Sequence, residues 1–296
     1  MEIRVLKYFL AVAREGSITR AANFLHLTQP TLTRQLQNLE KELGQKLFVR
    51  GKYKISLTPE GMILRKRAEE IIDMVEKTEA EFNSLNGTIS GDVYIGGGET
   101  ESMKYIADIV KEIQSEYPEI KIHIYSGNAE DVTEKLDKGL LDFGVLIQPI
   151  DITKYDHITL PDKDIWGVVM RKDSPLAKKN EIKFEDIVNL PIIASRQMSK
   201  KYSAASGFLD WFGNKFDYIK IAATYNLVYN AAIMVEAGIG YAITLDKLVN
   251  TSEESNLCFR PLSPKLESGL DIVWKKNQVY SPAAKIFLDK LNNKLK

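Results

Sequence analysis

Hydrophobic positions near the start of the chain fall into three stripes at helical spacing, and each stripe predicts a short helix. The stripes are Leu6, Phe9, Leu10 and Ala13, then Ala21, Ala22 and Leu25, and then Leu32, Leu36, Leu39 and Leu43. We expect all four leucines of the third stripe to face a core. The small alanines of the second stripe should let the third helix approach closely.

The residues between these stripes predict helix starts and a tight turn. Ser17 or Thr19 can cap the second helix, and Thr28 can cap the third, with Pro30 in its first turn. Almost no room is left for a loop before Thr28. Two helices joined by so short a turn form a helix-turn-helix arrangement.

The polar face of the third helix carries side chains of the types that contact DNA. Opposite its leucines stand Pro30, Thr33, Arg34, Gln37 and Lys41, with Gln29 and Thr31 at the exposed front end. Gln, Thr and Arg side chains reach base edges and phosphates in a major groove, and no acidic residue of the helix precedes Glu40. Taken alone, the segment could also be an ordinary solvated surface helix.

A β-hairpin is predicted directly after the third helix. The segments 47–50 and 54–57 flank Gly51, Lys52 and Tyr53, which would place a basic tip between two short strands. A basic hairpin beside a helix-turn-helix is a wing.

Residues 1 to about 60 resemble the winged helix-turn-helix domain of LysR-type transcriptional regulators. The resemblance is carried by the phrases AANFLHLTQPTLTRQLQNLEKELGQKLFVR and LTPEG, and the later segments fit the same family. It implies an α/β protein with three parts. These are an all-α winged helix-turn-helix domain in residues 1–59, a long linker helix in residues 60–87, and an effector-binding domain in residues 91–296.

The resemblance also implies which residues meet DNA. Base edges and backbone would be contacted by Gln29, Pro30, Thr31, Thr33 and Arg34, beside the cap Thr28, and phosphates by Thr19, Arg50, Lys52 and Lys54. Charge agrees with this placement. Residues 1–67 hold thirteen Lys and Arg against five Asp and Glu, whereas the remainder holds 27 against 35, so the overall charge of zero hides a basic amino-terminal region.

The linker segment has a heptad seam, which indicates a helix with a partner. The seam consists of Leu64, Ala68, Ile71, Val75, Thr78, Phe82 and Leu85. A helix lying on its own chain is the alternative. The family resemblance implies a homodimer through this helix, and in much of the family a homotetramer. Two recognition helices about one DNA turn apart would read an inverted repeat.

Beyond Gly91 the pattern alternates strands and helices, which predicts an α/β domain with a largely parallel sheet, or two such lobes. The resemblance sharpens this to a two-lobed domain like the type 2 periplasmic binding proteins. Lobe one would hold residues 91–161 and 267–296, and lobe two residues 162–266. A small effector would bind in the cleft between them.

Four segments at strand ends should line that cleft. The effector-binding residues expected there are Glu99, Thr100, Ser102, Ser195, Arg196, Asn226 and Thr244. Thr100 matches the Ser or Thr that contacts effectors in the family, and Arg196 could hold a carboxylate. Ser102 and Asn226 could instead be helix caps, and Arg196 a surface ion-pair residue. Glu99 and Glu101 leave open a zwitterionic, amine-bearing or polyhydroxylated effector.

Several other classes of protein are disfavoured. No apolar run reaches the ~20 residues that span a bilayer, and the first helix starts without a signal peptide, so we expect a cytoplasmic protein with no membrane partner. The single cysteine, Cys258, excludes an internal disulfide and a CxxC motif. Gly96, Gly97 and Gly98 resemble the start of a dinucleotide-binding glycine loop, but Glu99, Thr100 and Glu101 follow where the loop should lead to a further glycine. We therefore expect no cofactor, and we expect no metal site.

An enzyme with an unusual amino-terminal module is the main rival class. The three histidines are dispersed, and HExxH, GxSxG and P-loop motifs are absent, so we expect no catalytic residues. The sequence therefore predicts a DNA-binding transcriptional regulator controlled by a small effector, with RNA polymerase as a candidate partner. The alternative is a cytoplasmic small-molecule binding protein with no enzymatic activity.

Overall fold

The computed structural model describes residues 1–50, 55–83, 90–199, 211–212, 215 and 218–295. They form two compact units, Met1–Asn83 and Ser84–Lys296, which we call unit 1 and unit 2. Some predictions fall outside the described residues. These are Lys52 and Lys54 at the wing tip and the linker beyond Asn83.

Unit 1 contains the three predicted helices, a two-stranded sheet and a long helix. In chain order these are α1 (Ile3–Glu15), α2 (Ile18–Phe24), α3 (Gln29–Leu43), β1 (Phe48–Arg50), β2 (Ile55–Leu57) and α4 (Pro59–Asn83). β1 and β2 pair antiparallel, with Phe48 opposite Leu57, as a wing requires. The strands mean that the domain is not strictly all-α.

Local side-chain bonds fix where α2 and α3 begin. The Ser17 hydroxyl accepts the Arg20 N–H at 3.4 Å, so Ser17 rather than Thr19 caps α2. The Thr28 hydroxyl accepts the Thr31 N–H at 3.4 Å and caps α3 as predicted. α3 ends at Gly44, whose φ of 67° is a left-handed conformation that glycine adopts without strain.

The core of unit 1 collects one face from each helix. The buried side chains include Phe9, Leu32, Leu36 and Leu39, and the fully buried Ala21 lets α2 pack closely. Leu43 is an exception to the prediction, because it is 38% exposed in the last turn of α3. The helix ends there, so no further turn continues the stripe and nothing covers Leu43 as the other leucines are covered.

This difference predicts unequal effects of two leucine substitutions. Leu36→Ala should lower the free energy of unfolding by about 2–5 kcal/mol, since it leaves a cavity in the core. Leu43→Ala should cost less than about 1 kcal/mol, as most surface substitutions do. Urea denaturation of the full chain, followed by circular dichroism, measures both. Equal losses would contradict the assignment of Leu43 to the surface.

The linker helix α4 follows the predicted seam but is partly covered by its own chain. Ala68 and Ile72 are buried in the unit 1 core, and Leu64 and Ile71 pack against it. The alternative of a helix lying on its own chain therefore holds for the first half of α4. Phe82, in the second half, is 69% exposed.

Unit 2 is built on two sheets. Its elements are β3 (Gly91–Gly97), α5 (Met103–Glu116), β4 (Ile120–Ser126), α6 (Ala129–Asp137), β5 (Phe143–Ile147), β6 (Tyr155–Thr159), β7 (Asp164–Arg171), β8 (Ile182–Lys183), α7 (Phe184–Ile187), β9 (Ile192–Ser195), α8 (Arg196–Ser199), β10 (Ile221–Tyr225), α9 (Val228–Glu236), β11 (Tyr241–Leu245), β12 (Leu257–Ser263), β13 (Glu267–Ser268), β14 (Leu270–Lys275) and α10 (Pro282–Leu295). A 3-10 turn covers Pro175–Lys178.

The prediction of a largely parallel sheet is wrong. The first sheet has the order β4-β3-β5-β14-β6, and β14 runs antiparallel to both of its neighbours. In the second sheet, β10-β9-β11-β7-β12-β8, the strand β7 is antiparallel to β11 and β12. β7 and β14 are each the first strand after the chain passes from one sheet to the other, so neither enters its sheet through the crossover helix that joins parallel neighbours.

The sheets form two lobes with separate cores. Strands from residues 91–159 and 270–275 make lobe one, and strands from residues 164–268 make lobe two. β13 lies in the stretch predicted for lobe one but pairs with β7 of the second sheet. No helix in the described ranges combines the length and apolar character needed to cross a membrane.

Candidate DNA-binding helix and interlobe cleft

The front end of α3 presents an exposed polar surface. Thr28, Gln29, Pro30, Thr31 and Arg34 are exposed, together with Thr19 of α2, while Thr33 is half-buried. The Gln29 amide donates to the Thr33 hydroxyl at 3.1 Å, and the Thr28 and Thr31 hydroxyls lie 2.8 Å apart. These bonds hold short polar side chains along one edge of the helix, which is the edge that enters a groove in helix-turn-helix proteins.

Arg34 differs from Arg4, Arg65 and Arg67 of unit 1 in having no internal anion beside it among the described residues. Arg4, Arg65 and Arg67 form ion pairs with nearby glutamates. Within the described residues, Arg34 has no hydrogen-bond or ion-pair partner. Its guanidinium can therefore form two bonds to a base or a phosphate without first breaking an internal pair.

The first acidic residue of α3 is engaged elsewhere. The Glu40 carboxylate accepts from the Lys46 ammonium at 2.8 Å and from the Leu47 N–H at 2.9 Å. Partial burial alone would raise the pKa of Glu40, but these two bonds outweigh it and lower the pKa. The negative charge is thus tied to the start of β1. Arg50 lies in β1 opposite Ile55, beside the undescribed wing tip.

In unit 2, three predicted effector residues follow β3. Thr100 and Ser102 are buried, and Glu99 is half-buried. The Thr100 hydroxyl accepts the Ser102 N–H at 3.0 Å. Ser102 stands at the start of α5, but its side chain makes no capping bond to that helix. Ser102 therefore holds the cap position of α5 without a side-chain capping bond.

The hydroxyls of Thr100 and Ser102 bind a carboxylate of the other lobe. Thr100 donates to Asp164 in a short hydrogen bond, and the Ser102 hydroxyl lies 3.4 Å from the second Asp164 oxygen. Asp164 is the first residue of β7 and is 8% exposed. Burial raises the pKa of Asp164, while the bonds from Thr100 and Ser102 oppose the rise.

Glu99 also reaches the opposite lobe. Its carboxylate accepts the N–H of Val228, the first residue of α9, in a short hydrogen bond. Burial raises the pKa of the neighbouring Tyr225 to about 12, the charge of Glu99 adds to this rise, and a hydrogen bond from Thr244 opposes it. Tyr225 therefore stays protonated, and its hydroxyl donates to the Ile243 carbonyl at 2.8 Å.

The remaining predicted effector residues lie at strand ends of lobe two. Ser195 ends β9 beside Tyr225 of β10, and Thr244 is buried in β11 opposite Gly167. Arg196 is exposed at the start of α8. Asn226 is exposed and does not cap α9, because Leu227 occupies the cap position.

A cavity of about 280 Å³ opens at the junction of the two lobes. Its lining consists of Glu101, Ser102, Lys104, Asp162, Lys163, Asp164, Ile165, Asp246 and Lys247. The volume is near the lower end for a small-molecule site. The lining mixes carboxylates and ammonium groups, and Lys104 pairs with Asp162 at 2.7 Å. No cluster of three metal-binding side chains is found in the part of the chain that the structure describes.

Sequence reasoning missed Asp164 as a site residue. Asp164 is the first residue of a buried strand, which is a common place for a polar side chain, and its partner Thr100 is 64 positions away. Tyr225 is also absent from the predicted site residues. The residues around Thr100 in the sequence give no sign that the Asp164 carboxylate approaches its hydroxyl from the other lobe.

Comparisons with known proteins agree with this architecture. Residues 3–62 match the bacterial regulatory helix-turn-helix proteins of the lysR family, and residues 86–296 match the LysR substrate binding domain. The uncharacterized HTH-type transcriptional regulator YvbU of Bacillus subtilis (strain 168) is 27% identical over 291 residues, covering 98% of this chain and 97% of YvbU. The HTH-type transcriptional regulator BsdA of the same organism is 33% identical over 206 residues, covering 68% of this chain and 69% of BsdA.

A solved structure shares the whole fold. Full-length CbnR, crystallised in complex with its target DNA, superposes with a TM-score of 0.73 at 18% identity, over 99% of both chains. The two family matches together extend over nearly the entire sequence, in the order that the structure places the helix-turn-helix and the two lobes. The chain therefore belongs to the LysR family of DNA-binding transcriptional regulators, which carry a substrate-binding domain for an effector.

Proposed function

We propose that this regulator reads its operator through the front end of α3, with Arg34 as the principal base-contacting residue. The observation that supports the proposal is the exposed, acid-free edge of α3 on which Arg34 has no partner among the described residues. Gln29, Pro30, Thr31 and Thr33 would contact base edges and backbone beside it. CbnR, which has the same fold, is crystallised on target DNA.

Phosphate contacts would come from Thr28, from Thr19 of α2 and from the wing. Arg50, Lys52 and Lys54 are the wing residues proposed for this role. Such contacts add affinity for any sequence, whereas Arg34 would add discrimination. Gel-shift titration of the full-length protein against fragments of its own genome, at several salt concentrations, tests the proposal. A protein with no preferred fragment at any salt concentration would contradict it.

We further propose that two copies associate through the second half of α4 and bind an inverted repeat. Val75, Thr78, Glu79 and Phe82 line an open surface of this helix, and Phe82 is 69% exposed. Val75, Thr78 and Phe82 continue a seam whose first half packs in the core of unit 1. A large exposed aromatic ring on a regular apolar seam is typical of a protein interface. A tetramer of two such dimers is part of the proposal.

The interface predicts a response to one substitution on α4. Phe82→Ser should raise the dimer dissociation constant at least tenfold, because burial of a Phe side chain contributes about 1.5–3 kcal/mol. Analytical ultracentrifugation across a concentration series measures it. Met62→Ser is the matched control, since Met62 is 59% exposed on the same helix but outside the seam. A dimer weakened equally by both variants would contradict the proposed interface.

We propose the interlobe cleft as the effector site, with Glu99, Thr100, Ser102, Ser195, Arg196, Asn226 and Thr244 around it. The support is that strand ends and a helix start converge there from both lobes. Effector binding would favour one arrangement of the lobes and so change the geometry presented to DNA. The protein would act in the cytoplasm, without catalysis, and RNA polymerase is a proposed further partner.

A further inference from the structure

Two groups in the interlobe cleft that could hold an anionic ligand are bound to carboxylates of this chain. One group is the amino end of α9, where Glu99 binds the Val228 N–H. The other is the hydroxyl pair of Thr100 and Ser102, where Asp164 is bound. A carboxylate arriving from solution would meet two negative charges at the places where it needs donors.

Glu99 supplies a contact that α9 lacks in its own sequence. The cap residue Leu227 makes no side-chain hydrogen bond to the nine-residue helix. The first N–H groups of a helix have no partner within the helix, and they favour a negative charge. Glu99 provides that charge from the opposite lobe, at the kind of helix end that binds free anions in other proteins.

The position of Glu99 is set by groups from both lobes. It follows β3 of lobe one and faces the start of α9 in lobe two, where its charge acts on Tyr225, which is hydrogen-bonded to Thr244. The Tyr225 hydroxyl donates to the Ile243 carbonyl at 2.8 Å. The Glu99 carboxylate is thus held across the cleft, and its bond to α9 joins the two lobes.

Asp164 occupies the hydroxyl pair of Thr100 and Ser102 as Glu99 occupies the amino end of α9. Its two oxygens face the hydroxyls of Thr100 and Ser102, and all three side chains are buried. Thr100 is the residue that the family resemblance assigns to effector contact. In this chain its hydroxyl donates to an internal carboxylate instead, so an anionic effector would have to displace Asp164 as well.

We propose that Glu99 is a tethered anionic ligand of the cleft, which occupies the amino end of α9, excludes free carboxylates, and restricts the effector to a neutral or amine-bearing molecule. The proposal rests on the proposed effector site and names the chemical class that this site accepts. Asp164 enforces the same restriction at the hydroxyl pair. Removal of Glu99 should convert the amino end of α9 into a site for an external anion.

Formate is the probe, because it carries the carboxylate of Glu99 with no further side chain. Full-length wild-type protein and Glu99→Ala are heated at several formate concentrations and constant ionic strength. The three tryptophans, Trp166, Trp211 and Trp274, all lie in unit 2, so fluorescence reports on the unit that holds the cleft. The formate dissociation constant, obtained from the rise in unfolding temperature, should be at least tenfold lower in Glu99→Ala.

Two matched variants separate occupation of the site from loss of charge. Glu99→Gln should gain no formate affinity, because its amide oxygen still accepts the Val228 N–H. Glu101→Ala removes an exposed carboxylate from the same loop and should also gain none. Equal formate affinity in wild type and Glu99→Ala, or an equal gain in Glu101→Ala, would overturn the proposal. If Glu99→Ala does not fold, Glu99→Ser replaces it.

Operator binding is measured on the same preparations. Formate binding to unit 2 does not depend on DNA, so a wild-type protein without operator affinity would count against the proposed function alone. Retained operator binding in Glu99→Ala, with unchanged exclusion of formate, would count against the tethered ligand alone.

Discussion

Replacing Arg34 by alanine should weaken binding to the selected operator by about 1–3 kcal/mol, which is roughly 5- to 150-fold. Arg34 is exposed on the front half of α3 and has no partner among the described residues. Its loss therefore removes DNA contacts without leaving an unpaired carboxylate behind. Because a bidentate arginine discriminates between bases, the variant should lose more affinity for the operator than for unrelated DNA.

Arg4→Ala is the matched control for this measurement. Arg4 is exposed in the same unit, is the same residue type, and is paired with Glu2 at 3.1 Å. Gel-shift titrations of wild type and both variants, on operator and on scrambled DNA, give the ratio of specific to non-specific affinity. That ratio should fall in Arg34→Ala and stay constant in Arg4→Ala. An unchanged ratio in Arg34→Ala would refute the assignment of α3 as the reading helix.

The helices of unit 1 could be predicted because their signals are local. Thr28 binds the N–H of Thr31 only three positions away, and the leucine stripe of α3 needs only the helical period. The prediction that Leu43 is buried was wrong, because burial there depends on what lies beyond the helix end. Burial along α4 also depends on the folded unit, because the core of unit 1 buries Ala68 while Phe82 stays exposed.

The cleft could be predicted less completely, because its bonds join residues far apart in sequence. Glu99 and Val228 are 129 positions apart, and Thr100 and Asp164 are 64 apart. The strand ends themselves could be predicted, since polar groups after parallel strands meet at one sheet edge. Which polar group faces which depends on the direction of β7, and a strand pattern does not contain that direction.

The buried bond between Thr100 and Asp164 leads to the second prediction of large effect. Thr100→Val keeps the shape of the side chain but removes a donor to a buried carboxylate. It should lower the free energy of unfolding of unit 2 by about 1–3 kcal/mol at pH 7. Tryptophan fluorescence during urea denaturation measures it, since the three tryptophans lie in that unit.

The pH dependence of this loss follows from the direction of the Asp164 pKa shift. Burial raises the pKa of Asp164 above its ordinary value near 3.8, so the folded protein binds the proton more tightly than the unfolded chain. The resulting stabilisation is complete below the ordinary pKa and is lost as the pH rises through the raised one. Thr100→Val removes a bond that opposes the rise. The pKa of Asp164 should therefore rise further in the variant, and the variant should lose more stability at a pH well above the raised pKa than at a pH near 3.8.

Asp164→Asn is the matched control, because it keeps an oxygen that accepts the Thr100 hydroxyl and removes the titrating charge. Its stability relative to wild type should improve as the pH rises through the raised pKa of Asp164, which is the opposite trend to Thr100→Val, since the buried carboxyl of the wild type loses its proton there. In the double variant Thr100→Val, Asp164→Asn, the extra loss caused by valine should no longer depend on pH. If valine costs the same at both pH values with Asp164 present, the carboxylate is not the partner that the Thr100 hydroxyl stabilises.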